Sequence, residues 1–329
     1  MEDTLPWKII FVATSFSLLI LGFAYYLITP RDMNYFISEN SDKITRIKNI
    51  RLAGRNEGKK VWEFFAEEGQ LGKNREVTQL FKIKDGKLYK DGKRVVNSIS
   101  AAYLKYFPER KMVTLTGEVT LKRKDLTLRC PSIDYLSAED KVNAYNGVSI
   151  EIREKGSASR IKCGSASFYG DMDKEMVFHD ALEITQGKKI VLAKEGSYFH
   201  KENELRLRGK VKAVFEKAEA LIKEETADKL KNPETRKLLK EKTILSADQL
   251  DLSTKTGDAK AYGSVHVVQK EKEARADQAV YDDKEETMVL TGNVSLKKKD
   301  DWVKAEKVLV SVRNETFEAV GSVEAEFKL

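Results

Sequence analysis

The sequence predicts an all-β protein of tandem two-strand repeats, with one N-terminal transmembrane helix and a short helical insertion. Three observations carry this: a glycine-centred motif recurs at near-constant spacing, apolar and polar residues alternate around it, and one long uncharged run stands near the N-terminus.

The motif is clearest in TLTGEVTL (114–121), VLTGNVSL (289–296) and EAVGSVEA (318–325), and recurs in RLRGKVKA (206–213) and KAYGSVHV (260–267). Two further copies place Asn146 and Asp180 where the others have glycine. The column is therefore Gly117, Asn146, Asp180, Gly209, Gly263, Gly292 and Gly321, spaced 29, 34, 29, 54, 29 and 29 residues apart. Gly, Asn and Asp best tolerate a left-handed backbone, so the column predicts a local bend. Apolar residues at two and four positions on either side (Val113, Leu115, Val119, Leu121; Met288, Leu290, Val294, Leu296) predict strands with one buried face.

A second column, 16 residues earlier, is always small: Ala101, Cys130, Cys163 (one residue out of step), Ala193, Ala247, Ala276 and Ala305. Two residues before it runs an apolar column from Ile99 to Val303. Five after it runs an aromatic-rich ladder: Tyr106, Tyr135, Phe168, Tyr198, Leu252, Tyr281 and Val310. The odd step between small column and ladder predicts a β-bulge. Cys130 and Cys163 read as small core residues, with a disulfide as the alternative if stacking makes them neighbours. Residues 44–97 also look β, with turn signals at Asp85-Gly86 and Asp91-Gly92.

The 54-residue spacing holds an insertion, residues 216–242, rich in Ala, Leu, Glu and Lys without strand alternation. It predicts two short helices, with Pro233 ending or interrupting the helical run and Asn232 just before it. At the N-terminus, Ile9 to Ile28 is a run of 20 uncharged residues flanked by Trp7, Tyr25 and Tyr26. A helix of that length spans a bilayer of about 30 Å. A cleaved signal peptide would have a shorter apolar region and small residues at the cut. The cations Arg31, Lys43, Arg46 and Lys48 after the helix argue for a cytoplasmic domain on the positive-inside rule, a rule that weakens for long translocated domains.

Composition narrows the function classes. Three histidines and two cysteines argue against a metal cage or iron–sulfur centre. No phosphate-binding glycine loop, nucleophile elbow or metalloprotease motif occurs, so neither a cofactor nor an enzyme is expected. The net charge of +7 fits a solvated surface, or contact with anionic groups. Lys122, Arg123, Lys124 and Lys297, Lys298, Lys299 would stand near a rim. Stacked repeats would align the apolar columns into a stripe, and periodicity alone does not distinguish a closed core from an open groove suited to acyl chains.

The two-strand unit and its L-x-G-x-V-x-L core resemble the OstA-like repeats of bacterial lipopolysaccharide export. An N-terminal helix, then IKNIRLAGRNEGKKVWEFFAEEG, then VTLTGEVTL and DYLSAEDKVNA resemble the LptC family over about residues 1–185, while ARADQAVYDDKEETMVLTGNVSL and the rest of 186–329 resemble LptA. The resemblance implies a transmembrane anchor (1–30), an LptC-like semi-open twisted β-jellyroll (31–185) and LptA-like β-repeats with the insertion (186–329). It puts the helix in the inner membrane as a single-pass anchor and the remainder in the periplasm. It implies a non-enzymatic conduit for lipopolysaccharide, fed by an inner-membrane ABC transporter complex and continued by an LptA-like bridge protein or outer-membrane assembly through edge-strand pairing, without nucleic acid. Carried over by position, the lipid-binding residues are Tyr106, Leu115, Tyr135, Phe168, Phe178, Tyr198, Leu207, Leu252, Tyr281 and Leu290. The alternatives are a membrane-anchored structural scaffold with a closed core, or a polyanion-binding module without a lipid.

Overall fold

Period-two alternation on both sides of each glycine gives antiparallel strands throughout the repeats. The computed structural model describes residues 45–71, 78–124, 126–154, 157–169, 174–218 and 230–328. The chain divides into two compact units, Met1–Lys43 and Ile44–Leu329; all described residues belong to the second. The expected helix over 9–28, and the 1–30 anchor with it, lies outside the described residues. Among those described, no helix is long and apolar enough to cross a membrane.

The first ten strands are β1 (Thr45–Asn56), β2 (Lys59–Leu71), β3 (Thr78–Lys90), β4 (Lys93–Phe107), β5 (Met112–Lys122), β6 (Leu126–Leu136), β7 (Lys141–Tyr145), β8 (Val148–Glu154), β9 (Ser157–Cys163) and β10 (Ser165–Tyr169). The next ten are β11 (Glu175–Gln186), β12 (Lys189–Phe199), β13 (Glu204–Phe215), β14 (Thr243–Ser253), β15 (Ala259–Gln269), β16 (Lys272–Asp282), β17 (Thr287–Lys298), β18 (Asp301–Ser311), β19 (Thr316–Val320) and β20 (Glu324–Glu326). All twenty join one antiparallel sheet in which each hairpin pairs with the next. β7 with β8, β9 with β10, and β19 with β20 are each two arms of one long strand: β6, for example, pairs β7 through Ser132–Leu136 and β8 through Leu126–Arg129. Among the described residues β1 pairs only with β2, and β19 and β20 only with β18, so the sheet has two free borders.

The glycine column is where the strands bend. All seven of its members have positive φ: Gly117 79°, Asn146 67°, Asp180 63°, Gly209 80°, Gly263 71°, Gly292 76° and Gly321 98°. In six copies the following residue is also left-handed: Glu118, Gly147, Ala181, Lys210, Ser264 and Asn293. The register slips at the same level on successive strands, for instance Thr116/Val119 between β5 and β6 and Arg275/Gln278 between β16 and β17. These are the expected bulges. In these six copies two consecutive left-handed residues fold the strand into two arms whose inward residues share one core.

Hairpin turns then alternate between two edges. One edge (edge A) carries the turns at 57–58, 91–92, 187–188, 270–271 and 299–300. The other (edge B) carries those at 108–111, 137–140, 200–203, 283–286 and 312–315. Turn-to-turn hydrogen bonds continue the ladder along edge B, where Ser137 N donates to Lys111 O (2.9 Å), Thr254 N to Asn203 O (2.7 Å) and Val312 N to Glu286 O (3.1 Å).

Two sequence expectations are corrected. Asp91-Gly92 is a turn, but Asp85-Gly86 lies inside β3. A Cβ on Gly86 would fall 2.5 Å from the Phe64 ring and 2.9 Å from Ile99 Cβ, so the glycine makes room for a core aromatic rather than a reversal. Pro233 starts a helix rather than ending one. Helix α1 (Pro233–Leu239) has Asn232 as its N-cap, with Asn232 Oδ1 accepting from Glu234 N at 2.9 Å; proline loses nothing at a first-turn position whose N–H has no partner in the helix. Residues 219–229, where the first of the two expected helices falls, lie outside the described residues. Cys130 and Cys163 are free buried thiols, as their reading as small core residues expects, and the alternative of a disulfide falls. Cys130 is on β6 and Cys163 on β9, and β8 pairs with both strands. Each repeat contributes two strands, so its columns recur on alternate strands, roughly 9–10 Å apart and beyond disulfide reach.

Candidate functional site

The interior is packed differently along the stack. In β5 all four inward residues are sealed: Val113, Leu115, Val119 and Leu121 are at most 1% exposed. At the same four repeat positions in β17, Val294 and Leu290 stay buried beside the bend, but Met288 and Leu296 are half-buried. The same holds for Leu245 and Leu252 on β14, Ala259 and Val267 on β15, Ala274 and Tyr281 on β16, and Val303 and Val310 on β18. From β14 to β18 the bend forms a closed spine, while the apolar residues of the outer half of each arm keep part of their surface exposed to solvent.

The side chains explain the change. Positions held by Leu115 and Ile99 in the first repeat are held by Ala261 and Ala274 in β15 and β16, with Ala279 where Leu104 stands on β4. In register, Ala261 faces Ala279, Val265 faces Ala276 and Val267 faces Ala274. An alanine floor leaves the two arms without the bulk that fills the first half.

The first half is also plugged and clasped. The Trp62 ring packs against Phe64 (5.5 Å between centroids) and edge-on against Tyr106 (5.0 Å). Across the mouth, residues of edge A meet residues of edge B: Lys111 Nζ donates to Asn56 Oδ1 at 3.4 Å, and Lys90 Nζ stands 3.6 Å from Asp140 Oδ2. Burial holds the Asp140 carboxyl above the usual range, against the pull of Lys90, while the Tyr135 hydroxyl donates to its Oδ1 at 3.2 Å. Burial likewise pushes the Tyr135 phenol up.

In the second half residues 230–242 reach across the mouth. The segment leaves edge A between β13 and β14, yet Asn232 N donates to Glu315 Oε1 (3.0 Å) on the β18–β19 turn of edge B. It is tied to edge A by Gln269 Nε2, which donates to Leu238 O (3.0 Å) and Thr243 Oγ1 (2.9 Å).

The ten residues expected to line a groove thus fall into two groups. Leu115, Tyr135, Phe168, Phe178, Leu207 and Leu290 are at most 2% exposed and pack as core. Tyr106, Tyr198, Leu252 and Tyr281 are half-buried, the last two within the open stretch. The structure adds Met288, Leu296, Val267, Val303 and Val310 to that stretch. The signal for them was present in the sequence, as alanine replacing leucine and isoleucine at inward positions of the later repeats. Of the expected rim cations, Lys122, Lys124, Lys297, Lys298 and Lys299 are exposed and Arg123 half-buried; Lys299 pairs with Glu271 at 3.5 Å. Among the described residues no cluster of His, Cys, Asp and Glu could hold a metal ion.

Residues 162–316, just under half the chain, match the family model described as LptA/(LptD N-terminal domain) LPS transport protein. The match includes every strand of the open stretch. No curated protein matches the chain. Among solved structures the chain is similar to LptH, the LptA homologous periplasmic component of the conserved lipopolysaccharide transport device from Pseudomonas aeruginosa. The two are 10% identical over 52% of this chain and 95% of that one, with a TM-score of 0.28.

Proposed function

We propose that this chain is a non-enzymatic lipid conduit that takes the acyl chains of lipopolysaccharide into the alanine-floored groove between β14 and β18. The observation that carries the reading is the row of half-buried apolar side chains along that stretch, Leu252, Tyr281, Met288 and Val310 on one arm and Leu245, Val267, Ala274 and Leu296 on the other. Each methylene removed from water there contributes about 0.8 kcal/mol, so an acyl tail is held by the burial of its apolar surface. The match of 162–316 to a lipopolysaccharide transport family supports the choice of lipid. In this reading the chain works in the periplasm from an inner-membrane anchor, receives lipid from an ABC transporter and passes it on through its free borders to a bridge protein or outer-membrane assembly. Transfer along the whole length requires the first half to open, and the contacts that part are the Lys111–Asn56 and Lys90–Asp140 clasps.

Photo-crosslinking residues at Tyr281, Leu252 and Met288 should capture lipopolysaccharide, whereas the same probe at Leu115 or Phe178, deep in the sealed half, should do so only once the Lys111–Asn56 and Lys90–Asp140 clasps are removed. Capture at neither set would refute the conduit. A second reading, a structural scaffold, is favoured by the sealed packing of β4 to β10, and capture only of neighbouring protein at the open positions would establish it.

A further inference from the structure

The groove's inner face has a polar border. Following the pairing register along edge A, the outermost inward positions are Lys189, Phe215, Thr243, Gln269, Lys272, Lys298 and Asp301, each opposite the next. Lys272 and Lys298 stand directly opposite each other, one step beyond the pair Ala274 and Leu296, which belong to the apolar lining. Because strand side chains alternate, residues two apart share a face; both side chains therefore leave the sheet on the groove face, Lys272 half-buried and Lys298 exposed.

Like charges opposite each other in a sheet are destabilising. Neighbouring lysines are neutralised locally: Lys270 pairs with Glu241 (3.5 Å) and Lys299 with Glu271 (3.5 Å). Lys272 and Lys298 have no carboxylate within ion-pair distance among the described residues. Two carboxylates nearby are otherwise placed: Asp301 Oδ1, opposite Lys298, accepts from Lys328 N at 3.0 Å, and Glu234 of α1 acts on Lys272 only through space. Lys272 is half-buried, and its ammonium is disfavoured by that burial and by Lys298. A bound anion would offset both effects.

We infer that Lys272 and Lys298 form an anion site at the lip of the groove, which holds the phosphoryl groups of an amphiphile whose acyl chains lie over Ala274 and Leu296. This rests on the conduit reading and adds the headgroup contact to it. The geometry suits the task, since a phosphorylated amphiphile changes from apolar to anionic over the same short distance at which this face changes from Ala274 and Leu296 to paired lysines.

The test compares lipopolysaccharide with its chemically dephosphorylated form on the full chain. Variants are K272Q/K298Q and, as a control at an exposed position, K307Q. The double variant should bind lipopolysaccharide at least tenfold more weakly, bind the dephosphorylated form as the parent does, and be no less stable in urea, because a repulsion has been removed. Equal loss for both ligands, or no loss for either, overturns the inference while leaving the conduit intact. A parent that binds neither ligand overturns the conduit and the headgroup site together. Inorganic pyrophosphate that displaces lipopolysaccharide at matching concentration assigns the site to free phosphate and overturns the lipid assignment.

Discussion

Gly117→Ala isolates the physics of the bend. Gly117 has φ +79°, and a Cβ built there would lie 2.6 Å from Ala102 Cβ, against 3.4 Å for ordinary contact. Two costs follow. Left-handed backbone costs a residue with a Cβ about 1–2 kcal/mol, offset by roughly 0.5 kcal/mol because alanine narrows the unfolded ensemble. The overlap of about 0.8 Å adds a further ~1–2 kcal/mol of overpacking, towards the lower end because Ala102 is exposed and can shift. The expected loss is therefore about 2–3 kcal/mol. Gly58→Ala is the control: its φ is nearly the same, +77°, but nothing lies within 4 Å of the new methyl, so it should lose only about 1 kcal/mol. Equilibrium urea unfolding, followed by the fluorescence of buried Trp62, measures each. Adding Ala102→Gly to Gly117→Ala should recover the contact component, giving a coupling of ~1–2 kcal/mol in a double-mutant cycle. A coupling near zero, or equal losses for Gly117→Ala and Gly58→Ala, would show that the column does not act through this contact.

Two other outcomes are expected. Burial pushes the Cys130 thiol up to about 12 and the Cys163 thiol up to about 11, so neither should react with a thiol reagent at pH 8 until the protein is denatured, when both should. Their contribution to stability is complete below the unfolded thiol value near 9 and is lost as pH rises from there towards the folded values; a native protein that labels rapidly at pH 8 would contradict the packing. The last two strands and the residues beside them leave Phe317 (51%), Val320 (46%), Val323 (49%) and Phe327 (66%) exposed. Replacing Phe317 and Phe327 with Ser should reduce association in sedimentation velocity while changing stability by less than about 0.5 kcal/mol each, and unaltered association of a self-associating parent would count against a docking role for this border.

What was legible in the sequence follows what side-chain chemistry marks. The left-handed column could be read because only Gly, Asn and Asp take that backbone cheaply, and all seven positions obey it. The second left-handed residue was invisible, since Glu118, Lys210 and Ser264 carry no such mark and are held there by the hairpins around them. Cysteine spacing gave the small core residues correctly but left the disulfide alternative open, because that a column recurs on alternate strands is a fact of three-dimensional order that the period does not contain. Pro233 is ambiguous by nature: the same ring that breaks a helix also opens one. Whether the interior is open depends on summed side-chain volume across two arms, so one list of lining residues mixed sealed Leu115 and Phe178 with half-buried Tyr281 and Leu252.

The two free borders differ in sign as well as position. The first strand carries Arg46, Lys48, Arg51 and Arg55 and no acid, while the final long strand carries Glu318, Glu324 and Glu326 with Lys328 alone against them. Start is therefore cationic and finish anionic. Joining unlike ends yields a head-to-tail series that need not close on itself, whereas joining like ends sets charge against like charge. The molecule thus has a direction built into its electrostatics, and any chain of such units would inherit it, each link pointing the same way as the last.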